Sequence, residues 1–320
     1  MDHNTHILVV YGGISTEREV SLNSGRAVYN ALQKAGYPRT ELFDLKADNL
    51  AEILSIRPDI AFLALHGKGG EDGSIQGFLE LAGIPYTGSG VAASAVCMDK
   101  ILTKRMLVSA HIPTAPFYVT EKQDHPDTDS VCRAILQRVG LPAVLKAPCQ
   151  GSSVGVYIVR KEADLPAAVE GVFGFGDRLL CERYLDGVEI TVPLLGNTAP
   201  RTLPIIEITS ENEFYDYEAK YTAGMCSHII PARIPHTTAE LVNRYAEDTY
   251  KLLSCRGVSR VDFIVDRDLG PMVVEVNTIP GMTEMSLLPD SARAAGISFE
   301  EMVVTICELA LEACRYPDGM

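Results

Sequence analysis

Two β-like runs near the C-terminal end, 259–265 (SRVDFIV) and 272–277 (MVVEVN), flank a turn-rich break, DRDLGP. Such a pair predicts an antiparallel hairpin. Side chains alternate faces along a strand, so Arg260 and Asp262 share one face of the first run, and Glu275 and Asn277 one face of the second. Setting Asp262 opposite Glu275 centres the turn between Asp268 and Leu269, inside the break, and places Arg260 opposite Asn277. One register thus gathers two carboxylates, an amide and a guanidinium. A buried charge costs on the order of several kcal/mol unless it is paired or binds a metal. Oxygen donors without Cys or His suit a hard cation such as Mg²⁺, whose shell is completed by water and phosphate. The alternative is an Arg–carboxylate network on a solvated face. The apolar neighbours on both strands and the TIPG turn after Asn277 favour a metal, with Glu275 as a ligand.

The N-terminal part alternates strand and helix. HILVVYGG is a short apolar run ended by paired glycines. STEREVSLNSGRAVYNALQKAG follows as a helix, with Thr16 and Glu19 spaced as a capping box and Val20, Val28, Ala31 and Leu32 as its apolar side. DIAFLALHG and GSIQGFLELAG repeat the pattern. This is the βα rhythm of an open parallel sheet, an α/β fold in which sites form where strands run into glycine loops. A chain of 320 residues suits two or three domains, and the first is expected to end near Asp99. A middle segment of helices and strands follows, and from about Leu185 strands dominate until a long helix near 238–255 and a last one at 299–314.

The balance of 28 basic against 42 acidic residues, −14 in all, disfavours nucleic acid and anionic membranes as partners. The start lacks a basic leader, and no apolar run approaches the roughly 20 residues needed to span a bilayer. Eight scattered cysteines without a CxxC pair read as reduced, mostly buried thiols of a cytoplasmic protein.

A nucleotide would explain the cation. GxxxxGK[ST] is absent, which excludes a P-loop. GSGVAA (88–93) matches a relaxed dinucleotide fingerprint, but its preceding strand is short, contains Pro85, and no acidic residue follows at ribose distance. GSSVG (151–155) lets backbone N–H groups and the Ser152 and Ser153 hydroxyls approach an anion; alone it would equally be a hairpin turn. Lys146 and Lys100 add positive charge.

Together with STEREVSLNSG, LHGKGGEDGSIQGFLELAGIPYTGSGV, YDYEAKY and NTIPGMTEMSLLP, these features resemble the D-alanine–D-alanine ligases of the ATP-grasp superfamily, from about residue 7 to 310. The resemblance implies a three-domain ATP-grasp fold, divided at 1–99 (Rossmann-like, substrate), 100–184 (central) and 185–320 (C-terminal, metal-binding). It implies an ATP-dependent ligase joining two D-alanines through a D-alanyl phosphate, for peptidoglycan precursors, in a cytoplasmic homodimer. Glu17 would hold the first ammonium group, linked to Ser152 and Tyr221, with His66 nearby. Arg260 and the Gly281 N–H would stabilise the oxyanion, and Ser286 and Leu287 would receive the second carboxylate. Asp262, Glu275 and Asn277 would bind two Mg²⁺ ions, or Mn²⁺, with Glu275 bridging. Lys100, Lys146, Lys220, Ser152 and Ser153 would contact ATP phosphates. Glu182, Tyr184 and Leu185 would read adenine, and Glu189 the ribose.

After Lys146 the chain reads Ala147-Pro148-Cys149, where the family pattern has proline directly after the lysine; this leaves the shape of the phosphate loop open and makes Cys149 a candidate oxidation-sensitive thiol. Three other readings remain. One is a ligase taking D-lactate or D-serine second, against which the tyrosine of YDYEAKY speaks. Another is a noncatalytic nucleotide-binding protein, which would be expected to lose Arg260 or a metal ligand. The third is a dehydrogenase using GSGVAA.

Overall fold

A computed structural model of the chain describes residues 1–210, 226–283 and 286–315. Its strands fall into three sheets. The first is parallel, as the βα rhythm predicts: β1 (Ile7–Gly12) lies between β2 (Thr40–Leu45) and β3 (Ile60–Leu63). Helix α1 (Arg18–Lys34) crosses from β1 to β2 and buries Val28, Ala31 and Leu32 against the sheet. Val20 is not part of that core; it lines the cavity described below. Helices α2 (Ile53–Ile56) and α3 (Ser74–Leu81) follow β2 and β3.

Helices α4 (Val91–Met98) and α5 (Lys100–Ser109) lead into an antiparallel four-stranded sheet. Its order is β4 (Phe117–Glu121), β7 (Arg178–Arg183), β5 (Ala143–Lys146), β6 (Val156–Val159). One face packs Leu145, Leu179 and Cys181 on helices α6 (Thr128–Arg138) and α7 (Leu165–Phe173). The alternate residues Lys146 and Glu182 turn to the other side.

The third sheet is built on β8 (Gly187–Gly196), flanked by β10 (Ile206–Ser210) and β12 (Gly257–Asp266). Outside these lie β9 (Arg201–Thr202) against β8, β11 (Cys226–Ile229) against β10, and β13 (Gly270–Asn277) against β12. Val242, Ala246 and Tyr250 of α8 (His236–Leu252) cover its apolar face. Helix α9 (Leu287–Ala294) precedes α10 (Phe299–Arg315), whose Met302, Val303 and Ile306 return to the core of the first sheet.

Arg260 pairs with Asn277 and Asp262 with Glu275, the expected register. A bulge then shifts the pairing, so Phe263 meets Val273 and the turn closes from Asp266 to Gly270. The extra residue, Val274, recentres the turn on Asp268 without disturbing the site end. GSGVAA is occupied by the protein itself: Arg256 Nε donates to Gly88 O at 3.2 Å, and the Arg256 N–H to Ser89 Oγ at 3.3 Å. Cys97, Cys132, Cys181, Cys255 and Cys307 are free and buried, and Cys149 and Cys314 are free and exposed. No helix among the described residues is long and apolar enough to cross a membrane.

Candidate active site

The Thr16–Glu19 capping box does not form. Helix α1 starts at Arg18 with Glu17 as its N-cap residue, and no side chain caps it. Ser15 takes over the turn: its hydroxyl accepts from the Glu17 N–H at 3.2 Å and donates to His66 O at 2.6 Å. The Glu17 carboxylate is thereby left to accept a hydrogen bond from the Ser152 hydroxyl of the GSSVG loop. That loop turns back through two left-handed residues, Ser152 and Ser153, with φ 48° and 62°. Gly67 and Gly151 flank the carboxylate, and a Cβ on either would come within 2.9 Å of Glu17 Oε2.

His66 is buried behind Glu17, its Nε2 3.3 Å from Ser24 Oγ. Burial lowers its pKa and favours the neutral imidazole, against the pull of Glu17. Glu71, which the sequence reading did not single out, accepts the Gly67 N–H at 2.6 Å. Burial first, then the Glu17 charge, pushes its carboxyl up to about 8. It is a proton-holding group beside the two expected substrate residues.

The hairpin contributes another wall, through Arg260, Glu275 and Asn277. Arg260 grips Asp262 with Nε on Oδ1 and Nη2 on Oδ2, both at 2.8 Å. Thr191 Oγ1, paired across β8, also donates to Asp262 Oδ1. Glu275 Oε2 lies 3.3 Å from Lys100 Nζ, which donates to Gln150 O at 2.9 Å. Asn277 Oδ1 accepts the Ile279 N–H at 3.0 Å. Among the described residues no group of three His, Cys, Asp or Glu side chains could hold a metal. The donor set on this strand face, two carboxylates and an amide, nevertheless fits a hard cation whose remaining ligands are phosphate oxygens. Both readings of the hairpin thus have support: Asp262 belongs to an Arg–carboxylate pair, and its neighbours offer only oxygen.

Ser286 is the N-cap residue of α9, and its Oγ lies 3.0 Å from the Thr283 nitrogen and 2.8 Å from Thr283 Oγ1. With Leu287 it presents a helix N-terminus, where N–H groups and the dipole favour an anion. Gly281 sits against Ser286; a Cβ there would be 2.7 Å from the hydroxyl. These walls enclose a cavity of about 620 Å³, lined by Glu17, His66, Ser152, Arg260, Glu275 and Ser286. Lys100, Asn277, Gly281 and Leu287 also reach it.

Of the expected nucleotide residues, Lys100 and Ser152 line this cavity, whereas Lys146, Ser153, Glu182, Tyr184, Leu185 and Glu189 lie outside its lining. Lys146 Nζ is 2.7 Å from Glu182 Oε2. Tyr184 donates its N–H to Pro142 O at 3.1 Å and lies under the Arg160 guanidinium, 4.7 Å from the ring centroid. Leu185 packs with Ala115 and Met272. Glu189 stands on β8 opposite Ile264. Lys220 and Tyr221 lie outside the described residues. Cys149 Sγ accepts from Arg178 Nη2 at 3.3 Å, and burial followed by Asp99 raises its pKa, which reduces the thiolate expected of a reactive cysteine.

The pattern of the D-ala D-ala ligase C-terminus matches residues 106–308, and that of the N-terminus matches 44–89. The chain belongs to the D-alanine–D-alanine ligase family. A D-alanine–D-alanine ligase from Moorella thermoacetica is 50% identical over 313 residues, 96% of this chain and 99% of the relative. One from Pelotomaculum thermopropionicum is 49% identical over 308 residues, 96% of each. The crystal structure of a D-alanine–D-alanine ligase from Bacillus anthracis, complexed with ATP, superposes with a TM-score of 0.83 at 37% identity, covering 98% of this chain and 99% of that one. The fold is therefore the α/β ATP-grasp fold.

Two residues of this ligase-family site escaped the sequence reading. Glu71 follows a glycine-rich turn. Lys104, in KILTKRMLVSA, is 1% exposed and its Nζ lies 2.9 Å from Glu182 Oε1. A lysine one helical turn after Lys100 was the available signal.

Proposed function

We propose that this ligase joins two D-alanine molecules to D-alanyl-D-alanine, using ATP, in the cavity between Glu17 and the β12–β13 hairpin. The observation that carries the reading is the cavity's polarity. It offers a buried carboxylate for an ammonium group at one wall and a helix N-terminus for a carboxylate at another, with Arg260 between them.

In this reading Glu17, fixed by Ser152, holds the ammonium group of the first D-alanine beside neutral His66. A carboxylate oxygen of that molecule attacks the γ-phosphorus of ATP; the bond to the bridging oxygen breaks, giving ADP and the acyl phosphate. Lys100 and Lys146 balance the phosphate charge, since positioning and electrostatics do most of the work in phosphoryl transfer. The second D-alanine is held by its carboxylate at Ser286 and Leu287. Its amine, having lost a proton, attacks the acyl carbon. Arg260 and the Gly281 N–H stabilise the oxyanion, which collapses to the dipeptide and inorganic phosphate. Asp262, Glu275 and Asn277 would hold two Mg²⁺ ions, or Mn²⁺, which when bound would neutralise phosphate charge. Glu182 accepts from adenine beside Tyr184 and Leu185, Glu189 takes the ribose hydroxyls, and Ser153 adds a donor to the phosphates. The division at 1–99, 100–184 and 185–320, a homodimer and a cytoplasmic site of action belong to the same proposal.

Phosphate release with ATP, Mg²⁺ and D-alanine, run beside L-alanine, D-lactate and a Glu275→Gln variant, tests it. D-alanine-dependent release with the dipeptide as product, lost in the variant, is expected. Release that needs D-lactate or D-serine as well would change the second substrate. ATP binding without turnover would overturn the enzymatic reading.

A further inference from the structure

Glu182 carries more positive charge than it needs. Its carboxylate is 4% exposed, with Lys104 Nζ 2.9 Å from Oε1 and Lys146 Nζ 2.7 Å from Oε2. The two lysines are held differently. Lys146 ends β5 at the entry to the GSSVG loop, where Ala147 N–H donates to Gly155 O at 2.9 Å and where the proposed function places the phosphates. Lys104 is fixed: Nζ donates to Thr114 Oγ1 at 2.6 Å, contacts Ala115 O at 3.4 Å and lies 5.3 Å from the centroid of the Phe117 ring. Thr114 Oγ1 in turn donates to Val273 O at 2.8 Å. Lys104 holds Glu182 Oε1 as an ion-pair partner, and a carboxylate oxygen with two lone pairs keeps room for a second donor.

We propose that Lys104 is the positioning residue for base recognition, a fixed counter-ion that keeps Glu182 ionised and accepting when Lys146 serves the phosphates. The proposal rests on the reading of Glu182 as the acceptor for the adenine amino group. Burial alone would raise the Glu182 carboxyl; Lys104 and Lys146 outweigh it and hold it below the usual range. The groups facing that carboxylate are Lys104 from α5, Lys146 from β5 and the Phe117 ring from β4, the strand on the other side of β7. Once Lys146 turns away, Lys104 is the remaining charge that resists protonation. An ionised Glu182 accepts from a 6-amino group and repels a 6-oxo group. A protonated one can donate to the 6-oxo group, so base selectivity depends on Lys104.

Calorimetric binding of ADP and of inosine diphosphate, each with Mg²⁺, from pH 6 to 9 tests this on Lys104→Met, Thr114→Val and Glu182→Gln. Lys104→Met is expected to bind ADP about 10- to 100-fold more weakly at pH 7, the range for losing a charged contact. Its preference for ADP over the inosine nucleotide should fall, then recover as rising pH ionises Glu182. KM for D-alanine should stay within about twofold, the change expected away from the altered contact. Thr114→Val, which loosens Lys104 without removing its charge, should move the same way by less, and serves should Lys104→Met fail to fold. Unchanged selectivity in both variants while Glu182→Gln loses it overturns the role of Lys104 alone. Unchanged selectivity in Glu182→Gln overturns the adenine reading itself. Equal, pH-independent weakening of both nucleotides together with a raised KM for D-alanine would make Lys104 merely structural and sink the proposal.

Discussion

Arg260 and Asp262, two residues apart on one strand face, form a two-pronged ion pair at 2.8 Å on both oxygens. The arginine is thereby held at the wall of the cavity that it lines with Glu17 and Glu275.

Arg260→Met should act on the transition state. A loss of about 10²–10³ in kcat is expected, the usual size for an oxyanion donor, with little change in ADP affinity. Steady-state kinetics and calorimetry on the same preparation check it. A proportional rise in the dissociation constant for ADP, with kcat intact, would assign the arginine to nucleotide binding instead.

Ser152→Ala removes the hydroxyl that Glu17 accepts from. A hydrogen bond to a charged group is worth about 1.5–3 kcal/mol, so kcat/KM for D-alanine should fall roughly 10- to 100-fold. Unfolding temperature should barely move, because the loop lies at the edge of the fold. An enzyme with wild-type kinetics would remove Ser152 from the site.

Gly67→Ala and Gly151→Ala separate crowding from strain. Either Cβ would come within 2.9 Å of Glu17 Oε2, but only Gly67 has a left-handed φ, +70°. Both variants should raise KM for D-alanine. Only Gly67→Ala should also lose stability, by about 1–2 kcal/mol. Denaturant titration distinguishes them; equal stability losses would contradict the assignment.

Glu71 makes stability depend on pH. Its carboxyl is raised from 4.5 to about 8, by burial first and then by Glu17. Between those values the folded state holds a proton that the unfolded chain does not. The contribution is fully present below the unfolded pKa and is lost as pH rises through the folded one. Glu71→Gln, a permanent stand-in for the protonated form, should match the parent near pH 5 and melt higher above pH 8, without ligands or metal. Parallel melting curves across that range would show that Glu71 ionises normally.

Much of this site was legible because period-two alternation and a turn signal fix a hairpin register from a short stretch. Arg260, Asp262, Glu275 and Asn277 could be placed on one face for that reason. The bulge at Val274 could not, since a surplus residue leaves the turn-rich break unchanged. The Thr16–Glu19 box failed because the competing partners of Ser15 and Glu17 come from His66 and Ser152, far along the chain. Lys104 was missed for the same reason: its burial depends on Glu182 and Thr114, neither within a helical turn. Strand β2 and helices α4, α7 and α9 also passed unremarked, being short segments whose apolar faces emerge only once the sheets they pack on are present.

The bond between Ser152 and Glu17 spans 135 positions of chain, and Arg260 lies farther still. A fragment cut short at either end of the span from Glu17 to Ser286 lacks part of the proposed site. A growing chain on the ribosome would stay inert until the hairpin strands have been made and docked, so activity reports that assembly is finished.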